Sequence, residues 1–110
     1  MPISGNGKLV YWYIGSDNTV YVNGLILDSA YQSTATVSGQ LKTTAGVNVG
    51  STITFSYVTG SSGQYKGILS DTTAATLTRN TEYWMDITCT AQSGEVLVIR
   101  LQGPAIYAGS

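Results

Sequence analysis

Side chains able to do chemistry are sparse in this chain, and their types exclude more than they permit. There is no histidine. That removes the usual general base, the commonest metal ligand and any Ser-His-Asp arrangement. Cysteine occurs once, as Cys89, so neither an intrachain disulfide nor a cysteine-rich zinc site can form. Six carboxylates remain: Asp17, Asp28, Asp71, Glu82, Asp86 and Glu95. Paired carboxylates flanking a glycosidic bond can cleave it. Asp17, Asp28 and Asp71, however, sit in turn-like sequence, where aspartate bonds its own backbone. Asp86 falls on the polar side of a strand pattern beside threonines. Asp17-Asn18 or Asp71-Thr72 offers oxygens to calcium, but without the spacing of an EF-hand loop. Gly60-Ser61-Ser62-Gly63 joins two strand patterns and lacks the lysine of a phosphate-binding loop. The expectation is a non-enzyme, with no catalytic, cofactor-binding or metal-ligating residue and no cofactor.

Aromatic residues are the other group with something to offer a ligand or partner. Tyr11, Trp12, Tyr13 and Tyr21 cluster near the start, and Trp84 follows later. Exposed aromatics stack on sugars or anchor an interface. In a strand, Tyr11 and Tyr13 share a face while Trp12 points the other way. One of those faces is expected in the core and the other at a subunit contact or a stacked ligand. Tyr11, Trp12, Tyr13, Tyr21 and Trp84 are therefore the interface candidates.

The elements that position these residues follow a period of two. Residues 34–42 place Ala35, Val37 and Leu41 on one side and Thr34, Thr36, Ser38, Gln40 and Lys42 on the other. Residues 53–57 alternate in the same way. In residues 83–90, Tyr83, Met85, Ile87 and Cys89 share a face, which makes Cys89 a buried, inert thiol, with an exposed reactive thiol the alternative. Further strands are expected at residues 8–14, 19–22, 64–69 and 95–101. Asn23-Gly24 is a two-residue hairpin signal, with residues 25–27 pairing back or leading onward. Residues 59–63 and 92–94 are turns, 71–75 a short helical turn capped by Asp71, and Gly103-Pro104 a strand break. Short strands at this spacing, without helical periodicity, predict an all-β antiparallel sandwich, immunoglobulin-like, or a small Sm-like or OB-like barrel. Ala35, Val37, Leu41, Phe55, Tyr57, Met85, Ile87, Leu97 and Ile99 are the expected core. Residues 1–7 read as a flexible N-terminal arm and 8–110 as one domain.

Composition narrows the partners. Hydrophobic residues make up 43% of the 110 residues, enough for a core, while charged residues are only 10%, against about 25% in most soluble domains. A neutral polar skin of this kind suits a surface covered by neighbours. The five lysines and arginines are scattered and the net charge is −1, which speaks against nucleic acid as a partner. No apolar run reaches the length of a membrane span. Residues 1–7 lack the basic and apolar stretches of a secretory signal.

Residues 31–91 resemble small proteins encoded among phage and prophage virion genes. The resemblance rests on an ordered set: Ala35-Thr36-Val37, Tyr57-Val58-Thr59-Gly60-Ser61, Gly63-Gln64-Tyr65-Lys66-Gly67-Ile68-Leu69, Leu77-Thr78, and Tyr83-Trp84-Met85-Asp86-Ile87-Thr88. It extends loosely to Val22-Asn23-Gly24-Leu25. It implies an immunoglobulin-like component of the head, neck or tail, made in the bacterial host cytoplasm and carried in the virion. Such a subunit would form homo-oligomers and contact other virion proteins, with residues 1–14 as a candidate added strand. The reading of a different class is a carbohydrate-binding or adhesive module, with Trp12 or Trp84 contacting a glycan. Tyr65, bracketed by Gly63 and Gly67, is expected to be structural.

Overall fold

Each strand of the protein is set by where its alternating apolar face can be buried. The computed structural model describes residues 8–107. In chain order these form β1 (Lys8–Leu9), β2 (Trp12–Tyr13), β3 (Asn18–Val22), β4 (Ile26–Leu27), β5 (Ala30–Tyr31), β6 (Thr36–Thr43), β7 (Asn48–Tyr57), β8 (Tyr65–Leu69), the helical turn α1 (Asp71–Ala74), β9 (Glu82–Thr90) and β10 (Val96–Ile106). The arm expected at residues 1–7 lies outside the described residues.

The all-β expectation holds, with one correction, to the strand directions. One hydrogen-bonded path runs β1-β10-β9-β6-β7-β8-β3, with β2 also on β10, and it is nearly closed into a barrel. The sheet is also mixed, because β1 and β2 run parallel to β10. An antiparallel order was expected, yet the first segment crosses to the far side of β10 and does not fold back on its sequence neighbour. A small hairpin, β4–β5, stands apart from the path.

The core follows the period-two reading closely. In β9, Tyr83, Met85, Ile87 and Cys89 are all buried, and they meet Val37 and Leu41 of β6 and Ile99 and Leu101 of β10. Val20 and Val22 of β3 and Tyr65 and Leu69 of β8 enter the same cluster. Ala35, Tyr57 and Leu97 pack against it only in part.

Local signals were overridden in three places. Asn23-Gly24 makes no hairpin: β3 pairs with β8, and the Leu25 N–H goes to the Gly63 carbonyl at 2.9 Å. A type I′ turn needs positive φ at both central residues, and here only Gly24 has it. The tight hairpin forms instead at Asp28-Ser29, at φ 53° and 63°, between paired Leu27 and Ala30. Left-handed backbone at two non-glycine residues is unfavourable, and long-range contacts hold it. The Asp28 N–H donates to Glu95 Oε1 at 2.5 Å, and Ser93 Oγ donates to Asp28 Oδ2. At α1 the cap is Ser70, which accepts from the Thr73 N–H, and not Asp71.

Gly103-Pro104 does not break the last strand. Gly103 pairs with Tyr83 and Pro104 with Glu82. The carbonyls of Gln102 and Ile106 accept from Val10 and Ile14, at 2.9 and 2.8 Å. Pro104, midway between them, turns its missing N–H to that same side. This accounts for the gap between β1 and β2. Gly103 is required by the same approach, since a Cβ there would lie 1.6 Å from the Val10 carbonyl oxygen.

In the middle of the sheet, β7 runs unbroken well beyond the alternation expected at residues 53–57, and it absorbs an irregularity. Gly39 faces Ile53, whereas Leu41 faces Val49. The amide of Gln40 fills the gap, donating to the Gly50 carbonyl at 3.2 Å and accepting from Thr52 Oγ1 at 3.1 Å.

Gly103→Ala should therefore lower stability by about 3 kcal/mol or more, since the clash is with backbone and β1 must lift from β10. Urea unfolding checks this; a loss below about 1 kcal/mol would contradict the parallel pairing.

Candidate functional site

The barrel's seam lies between β2 and β3, and one side chain bridges it. Tyr13 donates its N–H to Asn18 Oδ1 at 2.7 Å, and Asn18 Nδ2 donates to the Tyr13 carbonyl at 3.0 Å. The Asn18 amide thus supplies the donor and acceptor that a neighbouring strand would. It also donates to the Ser16 carbonyl at 2.9 Å, fixing the intervening turn. Asn18 is 6% exposed, so its amide had to find such partners to be stable there.

Beside this bridge the walls of the seam enclose a cleft of about 460 Å³. Tyr11 and Tyr13 line one side and Tyr21 the other, all three exposed; Asp17, Thr19 and Asn23 add polar groups. Strand alternation explains the grouping. Trp12 turns inward between Tyr11 and Tyr13, and Val20 and Val22 turn inward on either side of Tyr21. The structure therefore brings together three of the five aromatic candidates.

The two tryptophans go elsewhere. Trp12 is 1% exposed and donates Nε1–H to the Tyr83 carbonyl at 3.2 Å. It is a core residue, which corrects its place among the interface and glycan-contact candidates. Trp84 sits half-buried on the outer face of β9, with the Arg100 guanidinium 4.2 Å from its ring centroid. That cation covers a face a sugar would need.

Asp86 is next to this pair. Arg100 Nε and Nη2 reach its two carboxylate oxygens at 2.7 and 3.2 Å, and Lys42 Nζ lies at 3.7 Å. The fork of hydrogen bonds from Arg100 holds the Asp86 carboxyl below the usual aspartate range, opposed by partial burial. This cluster was missed at the level of sequence, yet a signal existed. Counting outward equally from Ser93 at the hairpin turn pairs Asp86 with Arg100, as observed.

A second opening lies between β7 and β8. These strands pair only at Ser56–Lys66 and Tyr57–Tyr65. The ladder stops where the Phe55 ring lies against Gly67; a Cβ there would be 2.8 Å from Phe55 Cδ1. Beyond it the strands splay around a cleft of about 610 Å³, where serines and threonines such as Thr52, Thr54 and Thr73 alternate with Lys66 and apolar Ile53 and Ile68. The Val58 N–H points to the Gln64 carbonyl at 2.8 Å. Alternation then turns the backbone groups of Thr54 and Ile68 toward this opening, where no ladder pair joins them.

The remaining reactive groups are committed to structure. Burial pushes the Cys89 thiol up to about 11, so it is not a thiolate at neutral pH. Tyr65 is buried; its hydroxyl donates to the Gln32 carbonyl and accepts from the Ala35 N–H, both at 3.0 Å. Burial raises its pKa. Asp17 Oδ1 accepts from the Asp71 N–H at 2.7 Å, meeting an orphan donor at the start of α1. Among the described residues, no three His, Cys, Asp or Glu side chains gather as metal ligands would. The chain matches no model of a known protein family and none of the curated proteins with which it was compared.

Because Asp86 is depressed in the folded state, its contribution to stability is present above the ordinary aspartate range, about 3.9. It is lost as pH falls through the folded value. Arg100→Gln should move the Asp86 carboxyl titration upward in carbon-detected NMR and shrink this acid-labile contribution. An unmoved titration would contradict the pairing.

Proposed function

We propose that the protein is a non-enzymatic structural subunit of a phage or prophage particle. It acts through strand-edge and aromatic contacts with copies of itself or with neighbouring virion proteins. The observation that carries this reading is the early end of the β7–β8 ladder. It leaves two facing stretches of backbone, around Thr54 and Ile68, with donors and acceptors turned to solvent. An added strand satisfies such groups, and its main-chain hydrogen bonds supply affinity without demanding charged side chains. Ile68 is 47% exposed beside this edge and gives a partner apolar area. A surface with few charges suits coverage by neighbours.

The virion setting rests on the ordered motifs of residues 31–91. So does the immunoglobulin-like form, which the short β7–β8 junction also favours. It divides the path into the larger sheet through β6, β9 and β10 and a β3–β8 ribbon, and both bury side chains in one core.

Sedimentation velocity at rising concentration tests the edge. The wild type should self-associate. Thr54→Pro, which removes an edge donor, and Ile68→Lys, which charges the edge, should shift the population to monomer by about tenfold in dissociation constant. A wild type that stays monomeric throughout, or variants that associate unchanged, would refute the strand-edge reading. Finding the chain by mass spectrometry in purified induced particles tests the virion setting separately.

A further inference from the structure

The tyrosine cleft at the seam is separate from the β7–β8 opening, and the strand-edge contacts proposed there do not use it. We propose that it is a binding site for a neutral carbohydrate.

The chemistry of the walls selects the ligand. Tyr11, Tyr13 and Tyr21 come from both sides of one cleft while remaining 40–52% exposed. Scattered exposed tyrosines need no explanation, but three converging on a cavity of about 460 Å³ do. That volume lies within the roughly 300–1,000 Å³ of small-molecule sites. A pyranose has apolar C–H faces that stack on aromatic rings and a rim of hydroxyls that both donate and accept. The cleft answers both needs. Asp17 commits Oδ1 to the Asp71 N–H, leaving Oδ2 to accept from a hydroxyl. Asn23 commits Oδ1 to Gln64 Nε2 at 2.7 Å, leaving its own Nδ2 to donate. The tyrosine hydroxyls and Thr19 can do either.

The same walls disfavour other occupants. Among the side chains described there, Asp17 is the charged one and no lysine or arginine lines the cleft, which selects against phosphate, sulfate or an acidic sugar. An inserted peptide strand is disfavoured because the Asn18 amide already occupies the Tyr13 N–H and carbonyl. The floor is rigid, because Trp12 is packed and hydrogen-bonded beneath the tyrosines and Asn18 ties the two walls. A preorganised aromatic site loses little freedom on binding.

Saturation-transfer NMR with maltotriose, cellotriose and chitotriose tests this, carried out on both the wild type and the Ile68→Lys variant. At least one sugar should receive saturation at about 10 mM through its ring C–H protons, equally in both proteins. Amide shifts in the labelled protein should map to residues 11–13 and 17–23. Tyr21→Ala and Tyr13→Ala should each weaken binding by about tenfold or more, Tyr21→Phe by less, and Trp84→Ala not at all. Absence of transfer to all three sugars would overturn the proposal. So would amide shifts confined to the outer face of β9, or affinity unchanged in a folded Tyr21→Ala protein. Binding lost only in Ile68→Lys would place the ligand on the assembly edge and equally refute the seam.

Discussion

A mixed sheet that curls until its ends almost meet needs something to join them, and here that is one amide. Asn18 is the first residue of β3, and its side chain takes both backbone groups of Tyr13 in β2. Ordinary strand pairing would repeat such a bridge along the whole seam. One side chain makes it once, at the end where the turn of residues 14–17 joins the two strands, so the seam is held there and open beside it. The tyrosine cleft is the opening left by that partial closure. Closure also fixes which faces are buried: Trp12 and Val20, on opposite sides of the seam, enter the same core. Burial of an amide without partners costs several times what a single hydrogen bond contributes, so the bridge and the core stabilise each other.

The strands with a wet face and a dry face were legible from residue types alone. In β9, all four residues assigned inward are buried, and β6 behaves likewise. Such faces follow from a period of two whatever the partner strand is. Partner identity was legible only across the hairpin turns, where β8 returns on β7 and β10 on β9. Asn23-Gly24 carries the usual hairpin chemistry, but β8, far along the chain, outcompetes the neighbouring residues for β3. Asp28-Ser29, with weaker local chemistry, makes the tight turn because Ser93 and Glu95 hold it from another hairpin. Pro104 reads as a terminator in any local view. The final strand tolerates it because the missing donor faces the interval between β1 and β2, where pairing lapses.

The candidate site was legible in the same uneven way. Tyr11, Tyr13 and Tyr21 stood out as aromatics in strands, and alternation separated them from Trp12. Their convergence depends on barrel closure, which depends on Asn18, and in sequence Asn18 is one more turn residue after Gly15-Ser16-Asp17. The Arg100–Asp86 pair, by contrast, needed only the hairpin register. The molecule that results has its thiol and its most enclosed phenol sealed in the core. Most of its carboxylates serve turns or a cross-strand pair. Outward it presents open backbone at one place and tyrosine rings at another.

Amide hydrogen exchange at Tyr13, in the wild type and in Asn18→Ala, tests the closure most directly. If the Asn18 amide ties the seam, the Tyr13 N–H is strongly protected in the wild type. Asn18→Ala should speed its exchange by about a hundredfold or more, while amides in β9 slow or quicken only with global stability. A Tyr13 amide that exchanges freely in the wild type, or keeps its protection without Asn18, would contradict the account.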